Sequence, residues 1–226
     1  MNTSKRFAFF DFDQTILNFK TLIVFEEYWL AHQSSKKQTK EERDFLENRK
    51  RFIHETLRQI PRRQANLLFF KGFKGRSEKG LSLLINQWFE TLKESNKDYY
   101  NEAVVSKLEQ LRKDNVEPVF VSGSYVKLIS KFAIELNVKH LLATRLKIKS
   151  GIYTGEIIGK NPIIGEGKRI AVESFLQNYK VSPLDCIAVG DHISDAPMLQ
   201  CVGNSFIVKG DKQLENLAKK HSWEII

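Results

Sequence analysis

The chain has 226 residues, 42% hydrophobic and 28% charged, with a formal net charge of +9. That balance excludes a disordered chain, and the length suits one large domain or a core with a smaller insert. No stretch approaches the ~20 apolar residues needed to cross a bilayer, and the apolar run after Lys5-Arg6 is too short for a secretory signal, so a cytoplasmic location is expected.

Phe7–Phe10 reads as a buried strand that ends on acid, at Asp11-Phe12-Asp13-Gln14-Thr15. From Thr21 to Ser95 the pattern is helical throughout. Thr21 to His32, Thr39 to Gln59, Arg62 to Phe70 and Glu78 to Leu92 are the expected helices, with Pro61 and Lys71-Gly72-Phe73-Lys74-Gly75 as punctuation. After Tyr99 the character changes. Val104, Leu108 and Leu111 mark an amphipathic helix, Val116–Val121 a buried strand, and Val126, Ile129, Ala133 and Leu136 one face of another helix. A short strand near Leu141-Leu142 precedes a hairpin, Leu146 to Lys149 and Ile152 to Ile158, turning at Ser150-Gly151. A helix Gly167 to Asn178, a strand Cys186 to Val189 and a helix near Ala196 to Gln200 follow. Phe206-Ile207-Val208, Gln213 to Lys219 and Trp223 to Ile226 complete the alternation. Strands alternating with helices imply βαβ units and a mainly parallel sheet, which Phe7–Phe10 would join with the helical block inserted after it.

Charge is uneven along the chain. Between Leu17 and Lys97 there are 17 basic and 10 acidic residues, a net +7, against +2 for the remainder. Such a segment draws anionic ligands or simply presents solvated helix faces. Cys186 and Cys201 make no CxxC pair and the five histidines are scattered, which argues against a disulfide framework and against zinc.

In open α/β sheets ligands bind beyond the carboxyl ends of the strands. Asp11 and Asp13 follow the first strand, and Ser122-Gly123-Ser124 follows Val116–Val121, where a helix begins. Gly190-Asp191-His192-Ile193-Ser194-Asp195 follows Cys186–Val189, and Lys168 stands where the next-to-last long helix starts. Buried carboxylates are costly unless paired or bound to metal. A hydroxyl and a flexible residue at a helix start suit an anion. Gly167-Lys168 is not a nucleotide P-loop, because Pro162 occupies the first glycine position and Arg169 replaces Ser/Thr.

Together the four segments resemble the haloacid dehalogenase-like hydrolases, in their phosphoserine-phosphatase-like branch. Asp11-Phe12-Asp13-Gln14-Thr15 matches the DxDx[TV] motif, Val121-Ser122-Gly123 the second, Lys168 the third and Gly190–Asp195 the GDxxxD fourth. The resemblance implies an α/β fold: a three-layer Rossmann-like core, residues 1–16 and 99–226, with an inserted all-helical cap, 17–98. It implies a Mg²⁺-dependent phosphatase of a small phosphorylated metabolite. Asp11 would be nucleophile, Asp13 acid and base, and Ser122, Gly123 and Lys168 the phosphate holders. Asp11, Asp13 (through its carbonyl) and Asp191 would hold the metal, and Asp195 would orient that shell or Lys168. A phosphotransferase with the same aspartyl-phosphate is the alternative; a nucleic-acid or anionic-lipid binding protein is disfavoured for want of a recognisable module.

Three positions depart from the branch. Lys20 stands where phosphoserine phosphatases carry a Glu toward the substrate's ammonium, which favours an anionic or neutral leaving group. Gln14 and His192 replace small residues, and His192 is expected to make a local hydrogen bond. Lys71, Lys74 and Arg76 flank a turn that could act as a lid.

Overall fold

A computed structural model describes residues 5–34, 37–57, 59–95 and 98–226. In chain order the elements are β1 (Arg6–Asp11), α1 (Thr21–Ser34), α2 (Lys40–Arg51), α3 (Arg62–Lys71), α4 (Glu78–Glu94), α5 (Glu102–Lys113), β2 (Val116–Tyr125), α6 (Val126–Glu135) and β3 (His140–Thr144). They continue with β4 (Leu146–Lys149), β5 (Ile152–Ile157), α7 (Glu166–Tyr179), β6 (Ile187–Gly190), α8 (Ala196–Leu199), β7 (Asn204–Ile207), α9 (Lys212–His221) and β8 (Glu224–Ile225). The first four residues of the N-terminal run, and residue 58 of the expected helix Thr39 to Gln59, lie outside the described residues. Among the described residues, no helix is long and apolar enough to cross a membrane.

The chain divides into two compact units, Met1–Phe19 with Asp98–Thr144 and Ile163–Ile226, and Lys20–Lys97 with Arg145–Pro162. The first is built on a six-stranded sheet of order β3-β2-β1-β6-β7-β8, every pair parallel. The central strand is apolar on both faces, as a doubly covered parallel sheet requires. Phe7, Phe9, Val119, Val121, Ala188 and Ile207 pack against Val172 and Leu176 of α7, Met198 and Leu199 of α8, and Leu214 and Ala218 of α9. Side chains alternate along a strand, so Phe120 and Phe206 face the other way. Phe120 meets Phe12 at 5.1 Å between ring centroids, Phe12 meets Phe132 of α6 at 5.6 Å, and Lys107 of α5 lies 4.0 Å over Phe206. Truncating a fully buried phenylalanine such as Phe9 or Phe120 costs about 3–5 kcal/mol in a core of this kind.

Parallel pairing is what assembles the functional edge. Asp11 pairs in register with Val121, and Phe10 with Val189, so the residues that follow each strand emerge side by side. β2 does not stop at Val121 as its apolar run suggests. It continues through Ser122-Gly123-Ser124 to Tyr125 because β3 supplies partners, Ala143 for Ser122 and Thr144 for Tyr125, with an irregularity between them.

The second unit holds α1 to α4 and the β4–β5 hairpin. α2 opens with a capping box, in which Glu42 N–H donates to Thr39 Oγ1 and Thr39 N–H to Glu42. It ends in a π turn, Phe52–Thr56, closed by Leu57 N–H to Phe52 O at 3.0 Å. The hairpin was expected in the sheet domain. It clusters with the helices instead, because its backbone pairs with the α3–α4 turn. Gly75 N–H donates to Tyr153 O and Tyr153 N–H to Arg76 O, each at 3.0 Å, and Glu78 N–H reaches Gly151 O at 2.8 Å. Gly155, at φ +82°, lets that approach occur: a Cβ there would stand 3.1 Å from Lys71 O. With the hairpin included, this unit has 21 basic and 11 acidic residues, net +10, and the sheet unit has 15 and 16, net −1.

A buried ion cluster ties the helices. Glu26, fully buried, accepts from Arg49 Nε at 2.7 Å and from Arg76 Nη2 and Nη1 at 2.5 and 2.9 Å. Arg49 also donates to Phe69 O at 2.8 Å, and its guanidinium fills the space a side chain at Gly72 would need. Burial alone would raise the Glu26 carboxyl, but Arg76 and then Arg49 outweigh it and hold it below the usual range. Arg76 is therefore no solvated arm of a lid; its side chain is 8% exposed.

Candidate active site

The site grows from the turn after β1. Ile16 and Leu17 N–H both donate to Phe12 O at 3.0 Å, curling the chain so that Asp11 and Asp13 stand over the sheet edge. Gln14 takes φ +66°, a left-handed conformation that is uncommon outside glycine and recurs at functional turns. Asp11 is 5% exposed. Lys168, in the first turn of α7, sends its ammonium to Asp11 Oδ1 at 2.5 Å and to Asp195 Oδ1 at 2.6 Å. Gly165, at φ +57°, precedes that helix and sets its entry.

Asp195 is fully buried and both its oxygens are engaged. Oδ1 takes Lys168, and Oδ2 accepts the N–H groups of Asp191 and His192 at 3.2 Å each. It thus fixes both the lysine and the loop after β6. The loop passes closely over β6: a Cβ at Gly190 would lie 2.8 Å from Asp195 Cβ and 2.9 Å from its Oδ2. Gly190→Ala should therefore displace Asp195, with a stability loss of about 1–3 kcal/mol and a larger fractional loss of activity. Thermal melting and turnover measured on the same preparation check this.

Asp191 is only partly buried and accepts from Thr15 Oγ1 at 2.9 Å. Oxygens of Asp11, Asp191 and Asp195 lie within 4.8 Å of one another. Three carboxylates thus crowd around one ammonium, which pairs directly with Asp11 and Asp195. Burial first, opposed by Lys168 and reinforced by Asp191, pushes the Asp11 carboxyl up to about 7. Asp191 and Asp195 are raised too, by burial and then by neighbouring carboxylates. Burial works against the Lys168 charge, but Asp11 and Asp195 prevail and raise it. An all-oxygen cluster with this surplus of negative charge fits a hard divalent cation. Asp11 and Asp191 have oxygens to offer it; those of Asp195 are already spoken for.

Asp13 lies beside the end of β2. Its Oδ2 accepts a short hydrogen bond from Ser124 Oγ and a long one, 3.5 Å, from Ser122 Oγ, and Ser122 Oγ in turn accepts Ser124 N–H at 3.0 Å. The motif segments contain Ser124 and Thr15 but by themselves give neither a role; their bonds to Asp13 and Asp191 supply it. Gly123 sits between the serines, half-buried. His192 is held locally, its Nδ1 accepting Ser194 N–H at 3.0 Å and its Nε2 3.5 Å from Asp211, as expected of a loop histidine. Lys20, the selectivity candidate, is exposed and belongs to the helical unit, where its carbonyl accepts the N–H groups of Ile23 and Val24 at the start of α1. Both cysteines are free thiols.

The family model described as haloacid dehalogenase-like hydrolase matches residues 8–200. A Mycobacterium tuberculosis protein named as a probable phosphatase is 32% identical over 108 residues, 48% of this chain. That stretch spans 37% of the relative, so the chain covers little more than a third of its length. Among solved structures, a Bordetella pertussis Tohama I protein of unknown function superposes with a TM-score of 0.79 at 21% identity, over 99% of each chain. A substrate-bound phosphoserine phosphatase complex gives 0.68 at 18% identity, over 100% of this chain and 94% of that one. At these identities the structures establish the fold, which is the phosphoserine-phosphatase one. With the family model spanning most of the chain, and with the four motif segments meeting at one sheet edge, this protein belongs to the haloacid dehalogenase-like hydrolases.

Proposed function

We propose that this chain is a Mg²⁺-dependent phosphatase that hydrolyses a small phosphomonoester through an aspartyl-phosphate. The observation that carries the reading is the buried Lys168 ammonium held between Asp11 and Asp195, with Asp191 beside them and Asp13 at the adjacent strand end. Uncatalysed monoester hydrolysis is so slow that enzymes accelerate it by up to ~10²¹-fold, which no single acid or base supplies. Several groups must act together.

In this reading an Asp11 oxygen forms a bond to phosphorus while the ester P–O bond breaks. The departing alkoxide takes a proton from the Asp13 carboxyl, which Ser124 orients. Water then attacks the phosphorus, Asp13 recovers the proton, and the Asp11–phosphate bond breaks to release inorganic phosphate. Lys168, Ser122 and the Gly123 N–H bear the charge on the phosphoryl oxygens, most of all in the transition state. Asp11, Asp191 and the Asp13 carbonyl would hold Mg²⁺, which supplies charge neutralisation between the nucleophile and an anionic substrate. Asp195 acts through Lys168 and the backbone of Asp191, as a positioning residue.

The test is a phosphatase screen over phosphorylated sugars, amino acids, nucleotides and lipid headgroups, with Mg²⁺ and with excess EDTA. Inorganic phosphate release from at least one class, abolished by EDTA and restored by Mg²⁺, is expected. Metal-independent release, or none from any class, would overturn the proposal. Added alcohols that divert phosphate from water to themselves would favour the phosphotransferase reading.

Lys20 enters as a selectivity residue for an anionic or neutral leaving group, supported by the concentration of positive charge on its unit. Lys20→Glu should raise KM for substrates with an anionic leaving group roughly tenfold and change kcat less. Steady-state kinetics on the best substrate of the screen read this out, and an unchanged KM would remove Lys20 from the site.

A further inference from the structure

The helical unit contains an open cleft of about 840 Å³ that contains none of the residues assigned to the phosphatase chemistry. Its lining includes the large apolar side chains Trp29, Phe45 and Leu83, of which Phe45 is 47% and Leu83 56% exposed. Exposed large apolar side chains gathered at a concavity of this size, with a few fixed polar groups, are the usual makings of an organic-ligand site.

Arg76 is one of those polar groups. Its guanidinium lies 3.6 Å from the centroid of the Trp29 ring, a cation–π contact that fixes its plane. Glu26 takes both Nη atoms, whereas Nε is buried and has no hydrogen-bond acceptor. A buried donor left unmade is costly, and native proteins seldom keep one without a reason. Charge points the same way. Glu26 is one carboxylate shared by the two guanidiniums of Arg49 and Arg76, so the cluster carries a net positive charge. Lys37 and Lys74 also border the cleft; Glu41 and Glu42 oppose them, but Glu42 is already tied to the Thr39 N–H at 2.8 Å.

We propose that this cleft binds a small organic anion, a carboxylate or sulfonate on an apolar aryl or acyl body. The acid group goes to the Nε edge of Arg76, reached by a local adjustment of the wall, and the body lies on Trp29, Phe45 and Leu83. Nothing in this depends on the phosphatase reading, which uses other residues.

The probe is 8-anilinonaphthalene-1-sulfonate, titrated by fluorescence against the full chain. One saturable site is expected, from which decanoate displaces the dye at least tenfold more effectively than 1-decanol. Leu83→Glu puts a like charge on an exposed position, so it should fold normally and weaken the dye about tenfold. Arg76→Lys, which keeps a cation for Glu26 but removes Nε, should weaken it by a similar factor. Millimolar inorganic phosphate should leave the dye bound, separating this site from a phosphatase centre. Absence of saturable binding, displacement by phosphate, equal competition by the alcohol, or undiminished binding by Leu83→Glu would each overturn the proposal. So would undiminished binding by an Arg76→Lys protein with a wild-type melting curve.

Discussion

Asp11→Asn is expected to lower turnover by at least about 10³-fold while leaving the protein as stable as the parent, or more so. The loss follows from the proposed covalent role, since an amide cannot form the phosphoryl bond that Asp11 would make. The stability follows from what surrounds the residue. Lys168 keeps its 2.6 Å partner Asp195, so no buried ammonium is stranded. At the same time one of three carboxylates crowded within 4.8 Å becomes neutral, which relieves the repulsion and burial that push Asp11 up to about 7. Activity and melting temperature measured together decide the matter. Near-normal Mg²⁺-dependent activity would sink the nucleophile assignment, whereas a lost fold would show that Asp11 is structural. Asp195→Asn should behave differently: it weakens the grip on Lys168 and on the Asp191 loop, so it should lower both activity and melting temperature.

The second large effect lies in the helical unit. Glu26→Ala strands two guanidiniums that are almost fully buried, and breaking a buried pair in this way costs about 3–5 kcal/mol. Glu26→Gln keeps an acceptor for one guanidinium and should cost less. The sign of the pH dependence follows from the lowered Glu26 carboxyl. Its contribution is present above the ordinary carboxylate range and is lost as pH falls through the depressed value. Acid should therefore erode the wild-type helical unit and narrow its advantage over Glu26→Gln. Denaturant melts followed by circular dichroism, at neutral pH and at several acid values, measure both. Melts that coincide for wild type and Glu26→Ala at neutral pH would mean that the cluster adds nothing to stability.

Much of the catalytic edge could be read from the chain because its parts are local. An apolar run ending in Asp11-Phe12-Asp13, or in Gly190-Asp191, identifies a strand and its exit from a few neighbouring residues. Elsewhere local reading stops short. Ser122-Gly123-Ser124 resembles a helix start, yet it remains strand because β3 offers hydrogen bonds that no local pattern displays. The β4–β5 hairpin is evident from its turn, but its allegiance to the helices depends on Gly75, Arg76 and Glu78, some 75 residues away along the chain. Glu26, Arg49 and Arg76 look like ordinary surface charges in a charged segment. Their separations of 23 and 50 residues match no helical spacing, so their union is invisible before folding.

By itself the sequence determined the order of strands and helices, the identity of the four motif segments, and the excess of positive charge near the N-terminal half. It could do so because hydrophobic period, turn residues and charge are properties of short windows. Only the tertiary structure decided that Lys168 bridges Asp11 and Asp195, that Ser124 rather than Ser122 makes the close contact with Asp13, and that Arg76 is buried beneath Trp29. Those facts rest on atoms brought within 4 Å from distant parts of the chain, where burial and unlike charge set the energy.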